Sequence, residues 1–137
     1  MPQALAPTGS RVPLVDYLVL EPHPHLVARQ CANCQAQFLD RRTACAGCSA
    51  TEFVPVALPV EGTIDTFTIV HQAAPGVAVP FVAAIVECGG TRVAGNLHNV
   101  APDAGHVSAG MPVRMSTYSL GVDIDGIEAV GFSFEPI

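Results

Sequence analysis

The sequence predicts a mainly β protein in which a four-cysteine metal ribbon, preceded by a short helical segment, leads into a small five-stranded barrel. Two observations carry that expectation. Cysteines stand at positions 31, 34, 45 and 48 as two Cys-x2-Cys pairs, and from Gly62 onward the chain becomes short apolar runs of strand length punctuated by Gly and Pro. Composition sets the limits. Of 137 residues 50% are hydrophobic and only 13% charged, enough core for one domain or two small ones.

In chain order, residues 1–12 are rich in Ala and Pro, with a Gly-Ser step, and read as a loose arm. They lack the basic start and apolar core of a secretory signal, so a reducing, cytoplasmic setting is expected. Pro13 suits the first position of a helix over LVDYLVL (14–20), where Leu14, Tyr17 and Leu18 recur at helical spacing until Pro22 and Pro24 end the run. A strand is the alternative. Either way the segment is too apolar to lie free, and it should pack on the ribbon, on the barrel or on another chain. His23 and His25, in EPHPHL, read as a solvated turn.

Residues 26–30 lead as a short strand into the first cysteine knuckle, and ten residues separate the two pairs. Each Cys-x2-Cys turn aims two sulfurs at one centre, and two such turns complete the tetrahedral thiolate set of a closed zinc site. Cys31, Cys34, Cys45 and Cys48 are therefore the expected ligands. Four protein ligands leave no position for water, which makes the metal structural. Zinc is expected, with iron in a rubredoxin-like centre as the alternative, because sulfur ligands alone do not choose between them. Two disulfides in an exported module would need the export signal that the sequence does not show. A ribbon this small, with Phe38 as its one large aromatic side chain, depends on the metal for its folding free energy. Arg41 and Arg42 are adjacent between the knuckles. They read either as a solvated hairpin tip or as a clamp for an anion such as phosphate, whose geometry the guanidinium fork matches.

Beyond Cys48 the pattern is one of strands. Residues 53–59 read as a Pro-bounded linker, so the expected division is an arm and apolar segment over 1–25, a ribbon over 26–54 and a barrel over 55–137. Gly62 opens TIDTFTIV (63–70), in which Ile64, Thr66, Thr68 and Val70 alternate with Asp65, Phe67 and Ile69. FVAAIVE (81–87), the Gly89-Gly90 turn and RVAGNL (92–97) form a hairpin, with Gly95 marking a bulge or a close approach. Residues 113–118 and 127–134 supply the last two strands around a turn at 123–126. Five strands in about 75 residues suit a barrel of the OB type. A sandwich, the alternative, uses about seven.

The remaining candidates are bland. Cys88, beside the Gly-Gly turn, has no neighbouring group in sequence to activate it, and His71 and His98 each end a strand singly. No phosphate loop, nucleophile elbow or catalytic carboxylate pair is evident, so no activity is expected of the chain alone. A formal charge of −6 with six arginines and no lysine argues against nucleic acid as a partner. The longest nearly continuous apolar run, residues 77–86, contains Pro80 and is too short to span a membrane.

These parts in this order resemble the DUF35 family: an apolar N-terminal segment, a four-cysteine ribbon, a Gly-Thr strand start (Gly62, Thr63), the apolar hairpin PFVAAIVECGGTRVAGNL and a late GMPV from Gly110 to Val113. The likeness runs from about Leu14 to Ile137. It implies a rubredoxin-like zinc ribbon and an OB-fold associated with acyl-CoA, acting as an accessory subunit of a thiolase-fold enzyme: a condensing thiolase, an acyltransferase or a steroid side-chain aldolase. The implied role is to contact that partner and help hold or channel the CoA-linked substrate, with Arg41 and Arg42 as candidate phosphate contacts. Three positions depart from the family pattern. An aromatic-Pro-Pro-Arg run is here Phe38-Leu39-Asp40-Arg41, a glycine after the first knuckle is Gln35, and a closing Phe-Arg-Pro is Phe134-Glu135-Pro136. A nucleic-acid module and, behind it, a small electron carrier are the alternative functions, the latter weakened because an electron carrier needs only the ribbon.

Overall fold

The structure, a computed structural model, describes residues 10–137, and the expected arm lies outside it up to residue 9. The described residues form ten strands and no helix. β1 (Arg11–Pro13) and β2 (Leu18–Val19) are short; β3 (His25–Cys31) is the central strand of the ribbon sheet, flanked by β2, β4 (Gln37–Phe38) and β5 (Phe53–Ala57).

Two expectations are corrected here. The 14–20 segment is not helical: Leu18 pairs with Leu26 and Val19 with His25, while the Val27 N–H donates to the Tyr17 carbonyl at 2.9 Å. The backbone groups a helix would use internally are taken by β3, and seven residues are too few for intrinsic propensity to resist. Residues 53–57 are likewise no linker, since β5 pairs with β3 from Val27↔Ala57 to Cys31↔Phe53. Pro55 is tolerated because β5 has no second neighbour to receive an N–H.

β6 (Glu61–Val70), β7 (Phe81–Cys88), β8 (Thr91–Leu97), β9 (Pro112–Val122) and β10 (Glu128–Pro136) make the barrel. β6, β7 and β8 form an antiparallel meander, β9 pairs antiparallel with both β6 and β10, and a parallel contact at Phe134↔Leu97 joins β10 to β8. The ring is closed by five strands, as expected, which removes its free edges. β1 lies parallel along β10, from Arg11↔Glu128 to Pro13↔Val130.

Alternation fills the interior. Val82, Ala84, Val86 and Cys88 of β7 are buried, as are Val93 and Leu97 of β8 and Val130 and Phe134 of β10. Each aliphatic so placed is stabilised by about 1.5 to 3 kcal/mol relative to exposure. In β6 the expected alternation fails at one point. A bulge between Ile64 and Thr66 moves the strand one residue out of phase, so buried Ile64 shares the inner face with Phe67 and Ile69, while Thr66, Thr68 and Val70 face outward.

The ribbon and barrel share one core. Leu18, Leu20, Leu26 and Ala28 belong to the same buried cluster as the barrel valines, and the Tyr17 ring meets Phe132 edge-on at 5.9 Å. The N-terminal apolar segment thus packs on both units at once. No helix long and apolar enough to cross a membrane is present among the described residues.

Candidate metal centre and the adjoining cleft

The two knuckles have nearly the same sequence, CANCQA at 31–36 and CAGCSA at 45–50, and the same backbone. In the first, the Cys31 N–H donates to the Ala36 carbonyl at 2.8 Å and the Gln35 N–H to the Cys31 carbonyl at 3.0 Å. In the second, Cys45 donates to Ala50 at 2.7 Å and Ser49 to Cys45 at 2.9 Å. Each turn closes on a residue with positive φ, Gln35 at 64° and Ser49 at 68°, where glycine would be least strained. The conserved shape follows from the shared task of turning two sulfurs toward one point. Backbone N–H groups of Cys34 and Gly47 approach the sulfurs of Cys31 and Cys45 at 3.5 and 3.3 Å, the donors that a thiolate wants.

The four sulfurs converge. Cys31 Sγ lies 3.5 Å from Cys48 Sγ and Cys34 Sγ 3.5 Å from Cys45 Sγ, and all four fall within 4.8 Å of one another. Zinc–sulfur bonds of about 2.3 Å in a tetrahedron require sulfurs about 3.8 Å apart. The spacing therefore fits a single ion and is too long for disulfides, whose bonds are about 2.05 Å. The thiols share their protons unequally. Contacts from the Asn33 side chain and the Ala50 backbone hold Cys48 down at about 6. At Cys34 the Ala36 N–H pulls downward, but bonding with the sulfurs of Cys45, Cys48 and Cys31 outweighs it and pushes the thiol up to about 12. A cation at the centre would supply the charge needed to ionise the whole set.

Cys88 stands apart, buried in the barrel, where burial first and then the neighbouring Glu87 carboxylate push it up to about 11. Such a thiol is inert as a nucleophile. His71 is exposed, and the His98 ring meets Tyr118 edge-on at 5.4 Å.

Arg41 and Arg42 are placed near each other but already partnered. Arg41 Nε donates to Asp16 Oδ2 at 2.9 Å, lowering that carboxyl below its usual value, and Arg42 Nε donates to Asp40 Oδ1 at 3.2 Å with its guanidinium 4.2 Å above the Phe38 ring. Sequence alone left Arg92 as a single cation on a strand. The structure carries it to the rim of a cleft of about 520 Å³ between ribbon and barrel, facing Phe38, Leu39 and Asp40. The signal that could have found it is the Gly89-Gly90 turn, which swings the start of β8 against the ribbon, where Thr91 Oγ1 donates to Gln37 Oε1 at 2.5 Å. The acidic replacement at Glu135 has a local partner, Arg114, at 3.6 Å.

Comparison with known proteins agrees with this arrangement. The family model described as the ChsH2 rubredoxin-like zinc ribbon domain matches residues 20–54, and that described as the ChsH2 C-terminal OB-fold domain matches residues 55–117. A solved chain of the Ltp2-ChsH2(DUF35) aldolase superposes with a TM-score of 0.65 at 28% identity, over 82% of this chain and 84% of that one. The chain belongs to the DUF35 family. A search among curated proteins gave no match. As a DUF35 protein the chain has both expected units, a four-cysteine metal ribbon and an OB barrel.

Proposed function

We propose that this DUF35 chain is a non-catalytic accessory subunit of a thiolase-fold enzyme, with structural zinc in its ribbon, that helps bind or channel CoA-linked acyl substrates in a cytoplasmic complex. The observation that carries the reading is the reciprocal match to the Ltp2-ChsH2(DUF35) aldolase chain, which runs through ribbon and barrel together. An electron carrier or a nucleic-acid module would share one unit, not the joined pair. The closed thiolate set favours a structural metal, and analysis of the purified protein distinguishes colourless zinc from red ferric thiolate.

Arg41 and Arg42 are the proposed CoA-phosphate contacts, with Arg92 across the cleft. Both ribbon arginines hold their carboxylates through Nε, which leaves the Nη hydrogens to face a phosphate. The test is a titration of acyl-CoA against the chain alone, the complex with its catalytic subunit, and that complex carrying Arg41→Ala and Arg42→Ala. The chain alone should bind weakly, and the double variant should lose about 1.5 to 3 kcal/mol per desolvated phosphate contact, less at a wet rim. Equal affinity in both complexes would remove the arginines from the site, and tight binding by the chain alone would place the whole site within it.

A further inference from the structure

Eleven large hydrophobic side chains are exposed among the described residues, and six of them, Val12, Leu14, Tyr118, Leu120, Val122 and Ile124, lie on one projection. β9 and β10 continue as a hairpin past the region where β8 closes the barrel, and β1 lies along the outer edge of β10. Register places Val12 in a row with Ala129 and Gly121, and Arg11 in the next row with Glu128 and Val122. Adjacent rows point to opposite faces, so both faces of this three-stranded ribbon present apolar side chains to solvent.

The tip is rigid. The Asp123 N–H donates to the Ile127 carbonyl at 2.9 Å and the Gly126 N–H to the Asp123 carbonyl at 3.1 Å, while Asp123 Oδ1 accepts from the Asp125 and Ile127 N–H groups at 2.8 and 2.9 Å. With Gly126 at a φ of 79°, this is a three-residue loop of the kind that joins strands tightly. Its first position holds Ile124, which is 100% exposed and bracketed by two carboxylates. Turn positions open to water favour polar residues, and a choice that breaks a local rule without a local gain marks a functional position.

We propose that this projection is a docking tongue, inserted into an apolar groove with a basic rim on the catalytic subunit; the proposal rests on the accessory-subunit reading. Charge selects that occupant over a second copy of the chain. A second copy carries −6, and five of its six arginines each sit beside one of its own carboxylates, so although their free N–H groups can still donate, it presents no net positive rim to Asp123 and Asp125.

The test uses the 137-residue chain and a thiolase-fold subunit sought by co-purification. Ile124→Asp should weaken the complex by about 30-fold or more, as loss of a central apolar anchor does, chiefly through faster dissociation. Asp125→Lys should slow association and flatten its salt dependence. Ala73→Glu, in the exposed loop between β6 and β7, should change neither, and all three variants should keep their metal and melting temperature. Binding of Ile124→Asp within threefold of wild type would overturn the tongue alone. An isolated chain that sediments as a dimer, and becomes monomeric with Ile124→Asp, would assign the tip to self-association instead. Failure of the wild type to bind any catalytic subunit would overturn the accessory-subunit reading and the tongue with it.

Discussion

Alanine at position 95 measures how tightly the barrel is filled. Gly95 lies on β8 opposite Ala84, and a Cβ built there would sit 2.9 and 3.0 Å from Cε2 and Cδ2 of Phe134, with Phe132 at 3.5 Å. Phe134 is fully buried, with its ring against Phe132 at 5.9 Å. The added methyl therefore needs a shift of several tenths of an ångström in a packed ring, and overpacking of that kind costs about 1 to 3 kcal/mol. Restricting the unfolded chain by Gly→Ala returns about 0.4 to 1 kcal/mol, which leaves a net loss of about 1 to 2 kcal/mol. At about 2.1 cal/mol/K per residue, the 137 residues give an unfolding entropy near 0.29 kcal/mol/K, so the melting temperature should fall by about 3.5 to 7 °C. The assay is thermal unfolding of metal-saturated Gly95→Ala, Phe134→Leu and the double variant. Because the smaller leucine makes room for the methyl, the double variant should cost about 1 kcal/mol less than the sum of the two singles. Additive losses, or a Gly95→Ala protein as stable as wild type, would refute the steric account.

Serine at any one of Cys31, Cys34, Cys45 or Cys48 should remove about one metal per chain and loosen the ribbon, whereas Cys88→Ser should keep the metal; metal analysis and melting curves decide this. Since the ligands bind as thiolates, affinity should fall as pH falls. Cys48, near 6, is ionised at neutral pH without metal, but Cys34, near 12, must give up its proton, so zinc uptake at pH 7 should release protons, measurable by calorimetry in buffers of different ionisation enthalpy. Gln35→Gly should leave the metal in place and stabilise the ribbon by about 0.5 kcal/mol, because relief of the left-handed strain slightly exceeds the added flexibility of the unfolded chain; a loss in chemical denaturation would contradict this.

The barrel strands were legible because Gly and Pro mark their ends and β7 alternates cleanly between buried and half-buried residues. The bulge in β6 was not, since Thr63 to Val70 alternates without a break and an extra residue reveals itself only against the partner strand. β5 was hidden by Pro55 and by its mostly exposed side chains, and the 14–20 segment by helical spacing that β3 overrides. The cysteine spacing announced the converging thiols. It could not show that Arg42 stacks on Phe38 or that Arg92 reaches the ribbon, because both depend on how ribbon and barrel meet.

The pairing of β10 with β9, β8 and β1 also sets an order of assembly during synthesis. β10 is the last of the ten strands to be made, so β1 waits for its partner while the 114 residues between Pro13 and Glu128 are synthesised, and the ring stays open meanwhile. The cysteine knuckles lie close together in sequence and can capture a metal as soon as Cys48 appears. A nascent chain should thus carry a finished metal knot beside an unclosed sheet whose apolar edges are exposed, the stage at which such chains aggregate and call on chaperones. A ribosome stall before Glu128 would trap the protein there with its metal bound and its barrel unmade.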